Sequence, residues 1–230
     1  MLKTLVIIPA YNESRNIVKT IEDLKSYQPD IDYIIVNDGS TDHTIEILEN
    51  HHFHYINSLQ NLGLFGAVET GFKWALLNHY QAAIQFDGDG QHSAKYINEL
   101  IKGIEEGYDI VIGSRYQTKK KPWNGRMIGS RLISIAIKLV TNKTIHDPTS
   151  GFRAYNESCI KLYAQECNNP PEPDTLVYML NNGKHIKEVQ VDMHEREYGK
   201  SYLNSMNALK YMCRMIISIL FIQPFRKVEK

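Results

Sequence analysis

The chain has 230 residues, with 26 basic and 26 acidic side chains and three cysteines. A domain of this size buries roughly 70% of its unfolded surface without help from disulfides or structural metal, and the odd set Cys159, Cys167 and Cys213 with no CxxC spacing excludes a disulfide scaffold or zinc module and favours free thiols in a reducing cytoplasm. The zero net charge conceals two positive segments, 115–131 with six basic side chains and no acid and 196–230 with seven basic and two acidic, a layout that marks solvated loops and also suits a phosphate-bearing or membrane-surface ligand.

The amino terminus reads as a first strand. Lys3 is followed only by the short run Leu5 to Ile8, which Pro9 and the polar Tyr11-Asn12-Glu13 end, so a signal peptide is not expected. Apolar runs of strand length at 4–9, 32–37, 53–57, 82–87 and 109–113 alternate with amphipathic stretches of helical length, the βαβ pattern of a parallel sheet. Helices are expected over His43 to Asn50 after Asp42, and over Ala94 to Glu106 after Ser93, because each preceding side chain can accept a bond from an unpaired amide. Beyond 114 come a Lys/Pro/Trp/Gly loop (117–125), a helix over 126–141, the dense segment 146–155, a proline breaker at Pro170, Pro171 and Pro173, a helix over 174–182 and a strand over 186–191. A last helix over 204–222 is apolar around much of its circumference yet carries Lys210 and Arg214, and its most apolar stretch, Met215 to Ile222, runs eight residues where a membrane span needs about 20. It either packs on the domain or lies in a membrane interface or against a membrane-protein partner.

In open parallel sheets the ligand crevice lies at the carboxyl ends of the strands, so the polar loops there are where chemistry is sought. The sharpest is Asp87-Gly88-Asp89-Gly90-Gln91-His92 after an apolar strand. Alternation sets Asp87 and Asp89 on one side, and two hard oxygen donors suit Mg²⁺ or Mn²⁺ sharing its shell with water and a nucleotide diphosphate. The same segment also reads as a plain Asp-Gly turn, or as a phosphatase DxDGT motif, in which Gln91 stands in the place of Thr. Neither GxGxxG nor a Walker loop follows any strand. Tyr11 instead offers a ring for stacking, and Glu13 and Asp38 offer acceptors for base or ribose donors, with a helix cap at Asn12 and an ordinary turn at Asp38-Gly39 as the competing accounts. The cluster His51-His52-Phe53-His54 lacks metal-pair spacing and reads as an exposed helix end, and His92 reads as a support to the acidic pair.

The set IIPAYNES, VNDGSTDHT, NLGLFGAVETGF, FDGDGQH, IGSRY, DPTSGFRAYN and MHEREYGKS, in order over residues 4 to about 203, resembles the family 2 inverting glycosyltransferases of the GT-A fold. Within them it is most similar to the dolichyl-phosphate mannose synthase and polyprenyl-phosphate glycosyltransferase branch. The resemblance implies an α/β GT-A domain over 1–203 followed at 204–230 by an amphipathic, membrane- or partner-facing helix. It implies a nucleotide pocket of Pro9, Ala10, Tyr11, Glu13, Asp38 and Gly88, and a Mg²⁺ or Mn²⁺ site of Asp87, Asp89 and Gln91. Arg115, Arg131, Arg196 and Lys200 are then expected to face the donor diphosphate and the acceptor phosphate, Arg131 on approximate spacing only, and Thr149 or Ser150 to bond the sugar hydroxyls, with a tight turn entering a strand as the competing account of that motif. Leu64 departs from the basic residue that many relatives carry in the glycine segment.

The expected activity is transfer of one sugar, a hexose or N-acetylhexosamine, with inversion, from a UDP- or GDP-sugar to an undecaprenyl-type phosphate for cell-surface glycan assembly. A lipid phosphate is already ionised and needs no strong base, only cations that hold it in line. The alternative is extension of a lipid-linked glycan at a hydroxyl, with Glu172 or Asp174 as base, unless these acids merely open a helix; a third is a silent nucleotide-sugar or membrane-binding module. Peripheral contact with the cytoplasmic face of a membrane and a small membrane-protein partner are expected, and no nucleic acid.

Overall fold

Every apolar run expected as a strand becomes one, joined by a further strand from the dense segment. The computed structural model describes residues 2–123, 125–165, 170–194 and 205–226. Its strands are β1 (Thr4–Ala10), β2 (Asp32–Asn37), β3 (Tyr55–Asn57), β4 (Ala82–Gln85), β5 (Ile110–Ser114), β6 (Arg153–Asn156) and β7 (Ile186–Gln190), and its helices are α1 (Ile17–Tyr27), α2 (Thr44–Asn50), α3 (Gly63–Leu77), α4 (Ile97–Glu105), α5 (Gly125–Thr141), α6 (Glu157–Gln165), α7 (Pro173–Asn181) and α8 (Ser205–Ile217). They form one sheet in the order β3-β2-β1-β4-β6-β5-β7. All neighbours run parallel except β6, which lies antiparallel between β4 and β5.

Both faces of the sheet are covered over its inner strands, which is why β1, β2, β4 and β5 read as near-continuous apolar runs. Alternate residues of β1 serve opposite cores. Leu5 and Ile7 pack with Val68 and Phe72 of α3, Ile133 and Ile137 of α5 and Met215 of α8. Val6 and Ile8 pack with Ile17, Ile21 and Leu24 of α1 and Leu100 and Ile104 of α4.

Several local expectations shift, and β4 closes at Gln85 rather than at 87. β3 begins at Tyr55, not at 53, because Phe53 spends its amide on the Leu48 carbonyl at the close of α2. Asp42 accepts the Thr44 amide at 3.0 Å and so helps start α2 one residue later than expected. Ser93 has the extended backbone of a cap, yet the carboxylate of Asp23 on α1 takes the Ala94 amide at 2.8 Å, and α4 is preceded by a 3-10 turn, Ala94–Tyr96.

The last helix does not stand apart from the domain. α8 continues as a π turn, Ser218–Ile222, and a 3-10 turn, Gln223–Phe225. Met215 and Ile219 are buried in the core beneath α5 and α7, a burial of about 1.5–3 kcal/mol each. Among the described residues no helix is long and apolar enough to cross a membrane. The boundary expected at 203/204 lies outside the described residues.

Candidate active site

The loops after β1, β2 and β4 are tied into one wall. The Asn12 side chain, at φ 58°, accepts the amides of Thr41 and Asp42 at 2.8 and 3.3 Å, so it joins two loops rather than capping a helix. The Ser40 hydroxyl returns the bond by accepting the Asn12 amide at 2.9 Å. Asp38 is 2% exposed, gives its amide to the Ala10 carbonyl and accepts the Leu62 amide at 2.7 Å. That approach needs Gly39: its φ is +66°, and a Cβ there would lie 2.7 Å from backbone atoms of Gln60 and Asn61. Pro9 accepts the Gly88 amide at 3.2 Å, while Tyr11 stays 46% exposed with its ring available for stacking. Glu13 orients its carboxylate on Asn16 at 2.6 Å and gives its amide to Thr44.

Asp87 and Asp89 stand at the end of β4. Asp87 accepts from the Gln85 amide at 3.1 Å and gives its own amide to His92 Nδ1 at 3.0 Å. His92 is buried and stacked on Phe152 at 4.8 Å, which fixes the turn that carries both acids. Asp89, 8% exposed, accepts the Gln91 backbone amide at 3.1 Å, and the Gln91 carbonyl takes the His194 amide at 2.8 Å. Beside this turn lies a cleft of about 440 Å³ lined by Asn16, Lys19, Asp89, His92 and His194 among others. No group of three or more His, Cys, Asp or Glu placed to hold a metal occurs among the described residues. Two carboxylates on one turn, with the neighbouring Gln91 side-chain amide left without a hydrogen bond to described residues, nonetheless fit Mg²⁺ or Mn²⁺, which takes one or two protein carboxylates and fills its shell with water and phosphate.

Arg115, just past β5, is gripped by Asp147. Its Nε and Nη2 donate to the two carboxylate oxygens at 2.7 and 2.9 Å, and its backbone amide adds a third bond at 3.1 Å. Asp147 is fully buried, and its amide and that of His146 are held by Glu188 of β7. Burial would lower the Arg115 pKa, but the bonds and charge of Asp147 outweigh it, so the guanidinium is held in its charged form. Next to this pair opens a second cleft, of about 520 Å³, whose lining among the described residues includes Lys119, Lys120, Lys121, Arg131, Trp123 and Ile135 and no carboxylate, although Lys119 pairs with Asp192 beside it. Arg131 stacks on Trp123 at 4.2 Å and donates to the Pro122 and Lys121 carbonyls. Lys121 reaches Ser130 at 2.9 Å; burial lowers its pKa, with Arg115 and Arg131 adding to that and Asp147 opposing it.

The remaining candidates separate. Thr149 is half-buried and donates to Asp147 at 3.3 Å, at the edge of the Arg115 site. Ser150 is buried with its hydroxyl donated to the Gly113 carbonyl at 2.6 Å, which leaves it bracing the loop rather than facing a sugar. Asp174 is buried on α7 and accepts from Ser218 at 2.6 Å and Gln223 at 3.2 Å. Glu172 pairs with Arg214 of α8 at 3.2 Å; burial raises its pKa and Arg214 opposes that. Both acids thus anchor the carboxyl-terminal segment. Arg196 and Lys200 lie outside the described residues. Sequence reasoning missed Asp147 as the holder of Arg115 and Lys121 as a wall of the basic cleft; the signals were the acid opening DPTSGFR and the lysine run after IGSRY.

Comparison with known proteins gives the arrangement its context. The sequence profile described as Glycosyl transferase family 2 matches residues 5–163. The polyprenol monophosphomannose synthase of Mycolicibacterium smegmatis is 28% identical over 227 residues, covering 93% of this chain and 85% of that one. The undecaprenyl-phosphate mannosyltransferase of Micrococcus luteus is 28% identical, covering 88% of each. Among solved structures, glucosyl-3-phosphoglycerate synthase from Mycobacterium tuberculosis, in complex with Mn²⁺, UDP and phosphoglyceric acid, superposes with a TM-score of 0.68 at 14% identity, covering 98% of this chain and 80% of that one. That likeness is one of fold: the α/β GT-A architecture is shared.

Proposed function

The chain belongs to glycosyl transferase family 2, and from that premise we propose that it transfers one hexose or N-acetylhexosamine, with inversion, from a nucleoside diphosphate sugar to a polyprenyl phosphate at a membrane surface. The observation that carries this reading is the junction of the basic cleft with an apolar stripe. Ile128, Leu132, Ile135 and Leu139 lie at helical spacing along one face of α5 and are 45–75% exposed, and Ile135 also lines the cleft. Trp123 at the same cleft is 84% exposed, and Ile217, Phe221 and Phe225 at the carboxyl-terminal end are 55%, 68% and 78% exposed. A ligand with an anionic head and a long apolar tail matches that surface: the phosphate among Lys119, Lys121 and Arg131, the tail along α5. Relatives named for polyprenol and undecaprenyl-phosphate mannose transfer support the same acceptor class.

The chemistry follows from charge. Asp87 and Asp89, with Gln91, would hold a divalent cation, which when bound supplies positive charge for the departing diphosphate. Asp38 and Glu13 offer acceptors to ribose or base while Tyr11 stacks, fixing the donor so that one face of the sugar is open. Arg115 stays charged on its Asp147 anchor, and with Arg131 and Lys121 it orients the incoming phosphate oxygen. That oxygen is already an anion, so no general base is needed. The engagement of Glu172 with Arg214 and of Asp174 with Ser218 disfavours the hydroxyl-accepting alternative.

The test is transfer from labelled UDP- and GDP-sugars, with Mg²⁺ or Mn²⁺, to a short-chain polyprenyl phosphate or to a glycan hydroxyl. Product is expected on the phosphate alone, with Glu172→Gln retaining activity to within about tenfold. Product on the hydroxyl alone, lost in Glu172→Gln, overturns the reading.

A further inference from the structure

Arg153 is the largest fully buried side chain in the described protein, at 1% exposure, and no carboxylate lies within ion-pair distance of it among the described residues. A buried guanidinium is retained only where its donors are well matched. Here its Nε donates to the Ser150 carbonyl at 2.7 Å, its Nη2 to Pro148 at 2.6 Å and its Nη1 to Pro171 at 3.0 Å. The first two carbonyls belong to the turn that begins at Asp147, the anchor of Arg115. That turn also carries Gly151, where a Cβ would stand 3.1 Å from an Asp87 carboxylate oxygen. The third carbonyl belongs to Pro171, which adjoins Glu172 and leads into α7 with Asp174, and these two acids grip Arg214, Ser218 and Gln223 of the carboxyl-terminal segment.

We propose that Arg153 is a positioning residue that couples the seating of the carboxyl-terminal helix to the geometry of the 147–151 turn, and thereby to Arg115 and Asp87. A segment that meets the membrane would then be joined through one rigid fork to the groups that hold the anionic substrates. The functional meaning rests on the proposed transfer reaction; the mechanical coupling does not.

The test is a cycle between Arg153→Lys, which keeps the charge but cannot span three carbonyls, and Ser218→Ala, which loosens the turn after α8 at its bond to Asp174. Hydrogen exchange of the full chain, read without substrate, is expected to quicken at 147–151 when Ser218→Ala is made in the native protein and not to respond further when it is made in the Arg153→Lys variant. Kinetics are expected to show kcat down by roughly ten- to a hundredfold in Arg153→Lys, a larger change than in the donor KM. Quickening confined to 171–181 and 205–226, or equal increments on both backgrounds, overturns the proposal. Should Arg153→Lys fail to fold, Arg214→Ala on the native background repeats the exchange test from a second anchor, and no change at 147–151 then overturns it. A native protein without transfer activity refutes the functional reading, while exchange still decides the coupling.

Discussion

Asp147→Asn probes the hold on Arg115 most directly. The carboxylate is fully buried and takes two guanidinium bonds at 2.7 and 2.9 Å, whereas the Arg115 side chain is 29% exposed and can turn partly to water when released. Asparagine keeps one acceptor, loses the charge and sets an amide NH₂ against the guanidinium. Losing one or two charge-assisted bonds, less the relief Arg115 gains from solvent, comes to about 3 kcal/mol. For a domain of this size that lowers Tm by roughly 6–12 °C. Transfer should fall further, by roughly two orders of magnitude, because Arg115 then no longer stands preorganised where negative charge is met. Thermal unfolding and initial rates on one preparation, below the variant's Tm, separate the two effects. An unchanged Tm with native rates would show that Arg115 is held without Asp147 and refute the reasoning.

Asp89→Asn should abolish transfer at an unchanged Tm and remove the Mn²⁺-dependent part of a UDP thermal shift; a native Mn²⁺ response would remove Asp89 from the metal site. Leu132→Glu with Phe221→Glu replaces two exposed apolar side chains on the proposed membrane face, so the folded protein should lose flotation with anionic liposomes, and equal flotation would place the contact elsewhere. The Asp109 carboxyl lies below its usual 3.8, since burial raises it but bonds from the His185 amide, Lys184 and Asn156 outweigh that. Its stabilisation is present above pH 3.8 and lost as pH falls through the lower folded value, so Asp109→Asn should unfold at lower temperature than the native protein at pH 7, with the gap closing below pH 3.8; a gap independent of pH counts against this.

Much of this molecule is legible in the order of its residues. Strands buried on both faces must be apolar throughout, which exposes β1, β2, β4 and β5 as runs, and the loops that follow them carry Tyr11, Asp38 and the Asp87–Asp89 pair because chemistry collects at strand ends. Whatever depends on two distant segments meeting is not legible in that order. Asp23, 71 residues away, displaces Ser93 as the acceptor that starts the next helix. β6 enters antiparallel between β4 and β5, and by doing so brings Asp147 to Arg115 and Gly151 to Asp87. Glu172 and Asp174 look like candidate bases along the chain, yet Arg214 of α8 claims the first and Ser218 and Gln223 of the turns after it claim the second. Periodicity and turn chemistry are properties of neighbours in the chain and can be read there, whereas the partner of a buried charge is chosen by whichever segment the packed sheet brings within about 3 Å of it.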